Sequence, residues 1–228
     1  RAASGGLNAG APATTPRLAS MPDVINYPDT TACGTSTAVS VPCMFAPETH
    51  ADFNGNRAKH QENLMDVLKR AGVATAWLEN DSGCKGICDR IPHRDIYLEA
   101  PKEQCHGNLC FDSTMLEPLK QTLTTLTGDA VIVLHANGSH GPAYFERYPD
   151  QYRKFTPTCD TNQMQDCSRE QLLNTYQNTV VAQDAMLADT IQLLQQTPGI
   201  SPALLYLSDH GESLGEHGMF LHAAPYAV

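Results

Sequence analysis

Residues 129–142 read DAVIVLHANGSHGP, an unbroken apolar run from Ala130 to Leu134 that ends in His135 and passes into a Gly-rich turn carrying His140. A short run with no polar alternation is what a parallel sheet buries on both faces. Working outward, Val73 to Leu78 reads as a second such strand, and Ala203 to Leu207 as a third buried one. Val24-Ile25-Asn26-Tyr27 is a shorter strand candidate. Between them, residues 58–71 carry Leu64, Val67, Leu68 and Ala71 at helical spacing, with Gly72 just beyond. Ser168 to Gln196 predicts the longest helix: Ser168 and Gln171 form a capping box, and Pro198-Gly199 stops it. Its apolar stripe is Leu172, Tyr176, Val180, Leu187, Ile191 and Leu194. Strands alternating with helices predict an α/β fold, a mostly parallel sheet sandwiched between helices. No repeat and no second domain are visible, so residues 1–228 read as one domain.

The 228 residues suffice for a sizeable core, and 41% apolar with 18% charged residues is an ordinary globular composition. A formal net charge of -10 argues against a general nucleic-acid binder, which needs a basic face. No window approaches the roughly 18–20 apolar residues of a membrane span. The chain opens on Arg1 without a signal peptide, so it reads as part of something longer, with any anchor outside it. Residues 1–20, rich in Gly, Ala, Thr and Pro, read as a surface loop.

Eight cysteines fall as four close pairs: Cys33 with Cys43, Cys84 with Cys88, Cys105 with Cys110, Cys159 with Cys167. An even count at short spacing favours disulfides in an oxidising compartment, with nearest-neighbour pairing the simplest connectivity. The rival is a zinc site using Cys84 and Cys88, but no second Cys or His pair follows at finger-like spacing.

Three places have the makings of chemistry. Asp209-His210 follows the apolar run at 203–207, where an α/β sheet delivers side chains to its active edge, and Asp with His suits zinc. His140 and His222 follow strands or the loops beside them, whereas His50 and His60 read as surface residues and His217 stays open. In Cys33-Gly34-Thr35-Ser36-Thr37-Ala38 a helix starting near Ser36 would offer free N–H groups to an anion. Ser36 or Thr37 is then either an N-cap or a hydroxyl nucleophile.

The segments CGTSTAVSVPCMF, HQENLMDVLKRAG, NDSGCKGICDRIPH, VIVLHANGSHGP, FTPTCDTNQMQDC and YLSDHGESLGEHGMFLHAAPYA together resemble the lipid A phosphoethanolamine transferases, which include the mobile colistin-resistance enzymes. These belong to the alkaline phosphatase and sulfatase superfamily. The resemblance implies Thr37 as nucleophile, and zinc bound by Thr37, Asp209 and His210. It places His140 and His222 around the phosphate or at a further zinc, and Lys85, Ser82 and Asp81 in the substrate-side loop. The family's remaining zinc ligand is the glutamate of a Gly-Glu-Thr-x-Arg turn. Arg1 matches the last residue of that turn, so that glutamate would lie before this sequence, and Val228 stops short of the family's usual end.

The implied reaction takes phosphoethanolamine from phosphatidylethanolamine onto Thr37 and then to a lipid A phosphate, with polymyxin and colistin resistance as the consequence. The implied location is the periplasmic face of the inner membrane, as a monomer attached through a transmembrane domain outside this sequence, with no nucleic-acid partner. A related zinc phosphodiesterase or phosphatase, a core-sugar phosphoethanolamine transferase, and a non-catalytic binding domain are the alternatives. A sulfatase would need a C/S-x-P-x-R context, which neither Cys33 nor Cys43 has.

Overall fold

The computed structural model describes residues 13–223. Its centre is a parallel sheet of three strands in the order β2-β1-β5, with β1 spanning Ala74–Glu79, β2 His93–Asp95 and β5 Ala130–His135. The β1–β5 register runs from Ala74 opposite Ala130 to Glu79 opposite His135, so two polar side chains end the two apolar runs together. Two short antiparallel hairpins stand apart: β3 (Cys105–His106) with β4 (Leu109–Cys110), and β6 (Ser213–Leu214) with β7 (Phe220–Leu221).

Among the described residues seven α-helical segments accompany them: α1 (Pro16–Ala19), α2 (Thr37–Met44), α3 (Gly55–Ala58), α4 (Leu64–Arg70), α5 (Ile96–Glu99), α6 (Leu116–Thr125) and α7 (Arg169–Gln196). Strand side chains alternate between faces. Trp77, Val131 and Val133 pack against Val41 of α2 and Met65 and Leu68 of α4. Leu78, Ile132 and Leu134 turn the other way, onto Leu119 of α6 and Met186 and Leu187 of α7. The expected sheet between helices is therefore present. A third cluster, Tyr144, Cys159, Met164, Leu172 and Tyr176, joins the first half of α7 to the loops beyond β5.

Local chemistry explains the helix boundaries. Ser168 and Gln171 form the expected reciprocal capping box on α7. The helix expected over residues 58–71 begins only at Leu64, because Asn63 caps it through Met65 and Asp66, and Asp66 returns the bond to the Asn63 N–H. The surface loop expected over residues 1–20 is broken by α1: the Asp184 carboxylate accepts from the N–H groups of Arg17 and Leu18, which a local reading cannot anticipate. Residues 1–12 of that stretch lie outside the described residues.

Two expected strands do not form among the described residues. Residues 24–27 and 203–207 are irregular and largely exposed, with Leu205 81% accessible. An apolar run becomes a strand only where a neighbour completes its ladder, and no described strand pairs with either. The cysteines pair with their nearest neighbours, Cys33–Cys43, Cys84–Cys88, Cys105–Cys110 and Cys159–Cys167, which disposes of the Cys84/Cys88 zinc alternative. Among the described residues no helix is long and apolar enough to cross a membrane.

Asp66 also accepts both Arg90 Nε (2.8 Å) and Nη2 (2.5 Å). The Arg90 bond, with the Asn63 N–H, outweighs burial and holds the Asp66 carboxyl below its ordinary value. A carboxyl lowered on folding adds stability above its unfolded pKa of about 3.9, and that contribution disappears as the pH falls through the folded value. Urea unfolding should therefore find Asp66→Asn less stable than the parent at pH 7, with the gap closing below about pH 4. A gap equally wide at pH 3 would contradict this.

Candidate active site

Thr37 opens α2, and its position is fixed from several directions. The Cys33–Cys43 disulfide ties the approach loop to the helix. Gly34 sits so close to the first turn that a Cβ would lie 2.8 Å from Val39 Cγ1 and 3.0 Å from the Ser40 N, so only glycine fits. Ser36 takes the N-cap backbone position, yet its side chain makes no capping bond. The Thr37 hydroxyl instead lies 3.1 Å from His210 Nε2, in a pair that is 8% and 9% exposed. Ser40 Oγ donates to the Asp209 carbonyl at 2.5 Å, and the Ala223 N–H donates to the Thr35 carbonyl at 2.6 Å. The α2 N-terminus is thus tied to both segments that follow residue 208.

His210 Nδ1 lies 2.9 Å from the Gly211 carbonyl. A carbonyl only accepts, so in the neutral ring Nδ1 carries the hydrogen and Nε2 keeps its lone pair towards Thr37. Asp209 Oδ2 lies 3.5 Å from the same Nε2 and is buried without a hydrogen-bond partner. Burying a carboxylate oxygen unpaired is costly. An imidazole nitrogen, a hydroxyl and an unsatisfied carboxylate oxygen meeting at one point are a donor set that fits a divalent cation.

The other two histidines are brought alongside. The His222 ring centroid is 4.9 Å from that of His210 and 4.7 Å from that of His140. Gly141 allows this approach, since a Cβ there would come within 2.5 Å of Leu221 Cδ2 and 2.7 Å of the Tyr144 hydroxyl. His140 Nδ1 lies 2.6 Å from the Gly141 carbonyl, which leaves its Nε2 available. His222 Nδ1 lies 3.2 Å from Glu212 Oε1, while Tyr144 donates its hydroxyl to Glu212 Oε2 at 2.8 Å. Burial, with the Glu212 charge behind it, pushes the Tyr144 phenol well above its ordinary value, so it remains a donor.

The loop of Asp81, Ser82 and Lys85, expected on the substrate side, is more self-contained. Lys85 Nζ bonds the Ser82 carbonyl at 2.6 Å and the Ser82 hydroxyl at 2.7 Å, and that hydroxyl bonds Asp81. Burial raises the Asp81 carboxyl, but bonds from Ser82 and the fields of His135 and His140 outweigh it and leave it lowered. His50, His60 and His217 are exposed.

Reasoning from sequence missed Glu212, Tyr144 and the buried Glu79–His135 pair. Glu212 had a signal, being two residues beyond His210 in the same turn. The Glu79–His135 pair had one too, because both residues end apolar runs. Glu79 accepts four donors: Trp77 Nε1 and His135 Nδ1 at one oxygen, the Asp81 and Gly83 N–H groups at the other. Ligand atoms of Glu79, Asp81 and His135 lie within 4.8 Å of one another, as do those of His140, Glu212 and His222. Both Glu79 oxygens are occupied, and so are both Glu212 oxygens, by Tyr144 and His222, so each carboxylate reads as a buttress; the second group leaves the Nε2 atoms of His140 and His222 uncommitted.

Burial alone would lower the His135 pKa, but Glu79 first, then Asp81 and Asp209, outweigh it and raise it. Glu79→Gln removes the largest raising contribution and leaves burial in place. The His135 midpoint, read from its imidazole proton in an NMR titration, should therefore fall. An unmoved midpoint would remove Glu79 as the cause.

Comparison with known proteins bears on this geometry. A family model described as Sulfatase matches residues 1–228. The phosphoethanolamine transferase EptA of Escherichia coli strain K12 is 48% identical over all of this chain and 42% of its own length. The phosphatidylethanolamine transferase Mcr-1 of Escherichia coli is 42% identical over 94% of the chain and 41% of its own length. The chain thus spans about two fifths of these relatives. Among solved structures, the soluble domain of lipooligosaccharide phosphoethanolamine transferase A from Neisseria meningitidis superposes with a TM-score of 0.88 and 46% identity, over 94% of this chain and 65% of that one.

Proposed function

The chain belongs to the sulfatase family, in its phosphoethanolamine transferase branch, and on that premise we propose that it transfers phosphoethanolamine from phosphatidylethanolamine to a lipid A phosphate through a covalent adduct on Thr37. The observation that carries the reading is the buried Thr37 hydroxyl 3.1 Å from His210 Nε2, with the unpaired Asp209 Oδ2 beside the same nitrogen.

Thr37, Asp209 and His210 are the residues that would hold zinc. Bound there, zinc would supply the positive charge that lowers the pKa of a coordinated hydroxyl. The chain's own groups account for the rest. Thr37 Oγ1 gives up its proton to solvent and forms a bond to phosphorus, the bond to the diacylglycerol oxygen breaks, and that oxygen takes a proton from an imidazolium. His222 suits this role, because Glu212 fixes its ring and leaves Nε2 to the substrate. His140 stands beside it to neutralise a non-bridging oxygen. A lipid A phosphate oxygen then attacks the same phosphorus, and the bond to Thr37 breaks. Two half-reactions on one residue spare the site from holding two bulky lipids at once. Asp81, Ser82 and Lys85 are assigned to the donor headgroup.

A similar solved structure, the C-terminal periplasmic domain of phosphoethanolamine transferase EptC from Campylobacter jejuni, and the four disulfides support a periplasmic catalytic domain, and the proposed substrates put it at the inner membrane. A cationic amine added to lipid A reduces its negative charge, which would weaken polymyxin binding and confer colistin resistance. Neither Cys33 nor Cys43 lies in the C/S-x-P-x-R context of a formylglycine sulfatase.

Intact-mass measurement on the full chain incubated with zinc and phosphatidylethanolamine should find one added phosphoethanolamine, absent in Thr37→Ala. His222→Ala should slow adduct formation by about 10²–10⁴-fold. Free phosphoethanolamine released without any acceptor would instead indicate a hydrolase, and no adduct with zinc bound would end the covalent reading.

A further inference from the structure

Asp112 is outside every group assigned above, yet two loops of the site converge on it. It opens the turn Asp112–Met115, directly after the hairpin closed by Cys105–Cys110. A carboxylate in that place ordinarily caps the N–H groups of its own turn. Here the donors come from elsewhere. Oδ1 accepts from Asn80 Nδ2 at 2.8 Å and from the Asn137 N–H at 2.9 Å, and Oδ2 accepts from the Gly138 N–H at 2.7 Å.

Both donor segments lead into the site. Asn80 is the first residue beyond β1 and runs straight into Asp81, Ser82 and Lys85. Its N–H also bonds the His135 carbonyl at 2.9 Å, and its amide bonds the Cys110 carbonyl at 3.1 Å. Asn137 and Gly138 follow β5 and run into His140. Gly138 has φ +60, a backbone conformation that glycine adopts readily. The far end of the same loop is held by Arg147, whose Nε donates to the His140 carbonyl at 2.9 Å. The Arg147 guanidinium lies in the fields of Asp112 and Asp81. Burial raises the Asp112 carboxyl above its ordinary value against the pull of these bonds, and both of its oxygens are taken up by N–H donors.

We propose that Asp112 is a positioning residue for the transfer reaction, acting through His140 by fixing the loop that carries it. This rests on the reading of His140 as part of the reaction centre. A side chain that merely stabilises the fold would lower activity by the same factor whatever residue stands at 140. A side chain that acts through His140 loses its effect once that imidazole is gone.

The test is a double-mutant cycle on the full chain, with hydrogen exchange as a readout independent of activity. Asp112→Asn keeps the size but turns an NH2 group towards N–H donors. It should lower kcat by about 10–100-fold. In a His140→Ala background the same change should alter kcat by less than about 2-fold. Backbone amides of Asn137 and Gly138 should exchange faster in Asp112→Asn, while those of Ala76 to Leu78 in β1 keep their protection. Equal losses in both backgrounds, or unchanged exchange at 137–138, would overturn the proposal. If Asp112→Asn fails to fold, Asp112→Glu, which keeps both oxygens one methylene further out, replaces it with the same two expectations. An inactive parent chain would count against the transferase reading, and exchange at 137–138 would still decide whether Asp112 holds the loop.

Discussion

The Thr37 hydroxyl and His210 Nε2 meet 3.1 Å apart across 173 residues of chain, and both residues are buried. Bringing them together requires that α2 start at one place and that the turn after residue 208 be carried to it. Gly34, the Cys33–Cys43 disulfide, and the bonds from Ser40 to Asp209 and from Ala223 to Thr35 all act at that junction. Side-chain torsions cannot absorb much error here. A hydroxyl nucleophile, the role proposed for Thr37, helps only when it is held close to its reaction geometry, and Thr37 is tied to the chain on both sides of it.

The carboxylates around the junction differ in one respect that separates scaffold from chemistry. Glu79 accepts four donors, Asp112 three, and Glu212 pairs with both Tyr144 and His222. Each of these satisfied groups spends its hydrogen-bonding capacity on fixing strand ends and loops. Asp209 alone among them leaves a buried oxygen without a partner, at the place where the hydroxyl and the imidazole converge. Structural carboxylates are normally satisfied, so an unsatisfied one beside the Thr37 hydroxyl is where a cation would be stabilised.

Much of this was legible in the sequence because it depends on short-range pattern. The runs ending at Glu79 and His135, the capping box at Ser168 and the paired cysteines are local features, and each appears where expected. Strand formation at 203–207 was not, since an apolar run says nothing about whether a neighbour completes its ladder. Spacing alone left Thr37 as either an N-cap or a hydroxyl nucleophile, and no local pattern shows that its hydroxyl lies 3.1 Å from His210 Nε2. Tyr144 and Asp112 were invisible for the same reason, and Glu212 showed only its place in the His210 turn: their partners lie 10, 68, 25, 26 or 32 residues away. Their roles exist only once the two strand ends and the last hairpin are side by side.

X-ray absorption at the zinc edge, on the full chain loaded with one equivalent of zinc, tests the centre of this account most directly. The predicted first shell is oxygen and nitrogen at about 2.0–2.2 Å, with one imidazole, no sulfur, and one oxygen fewer in Thr37→Ala. A shell of two or more imidazoles that is unchanged by Thr37→Ala would place the ion at His140 and His222 instead, and would contradict a cation at the nucleophile.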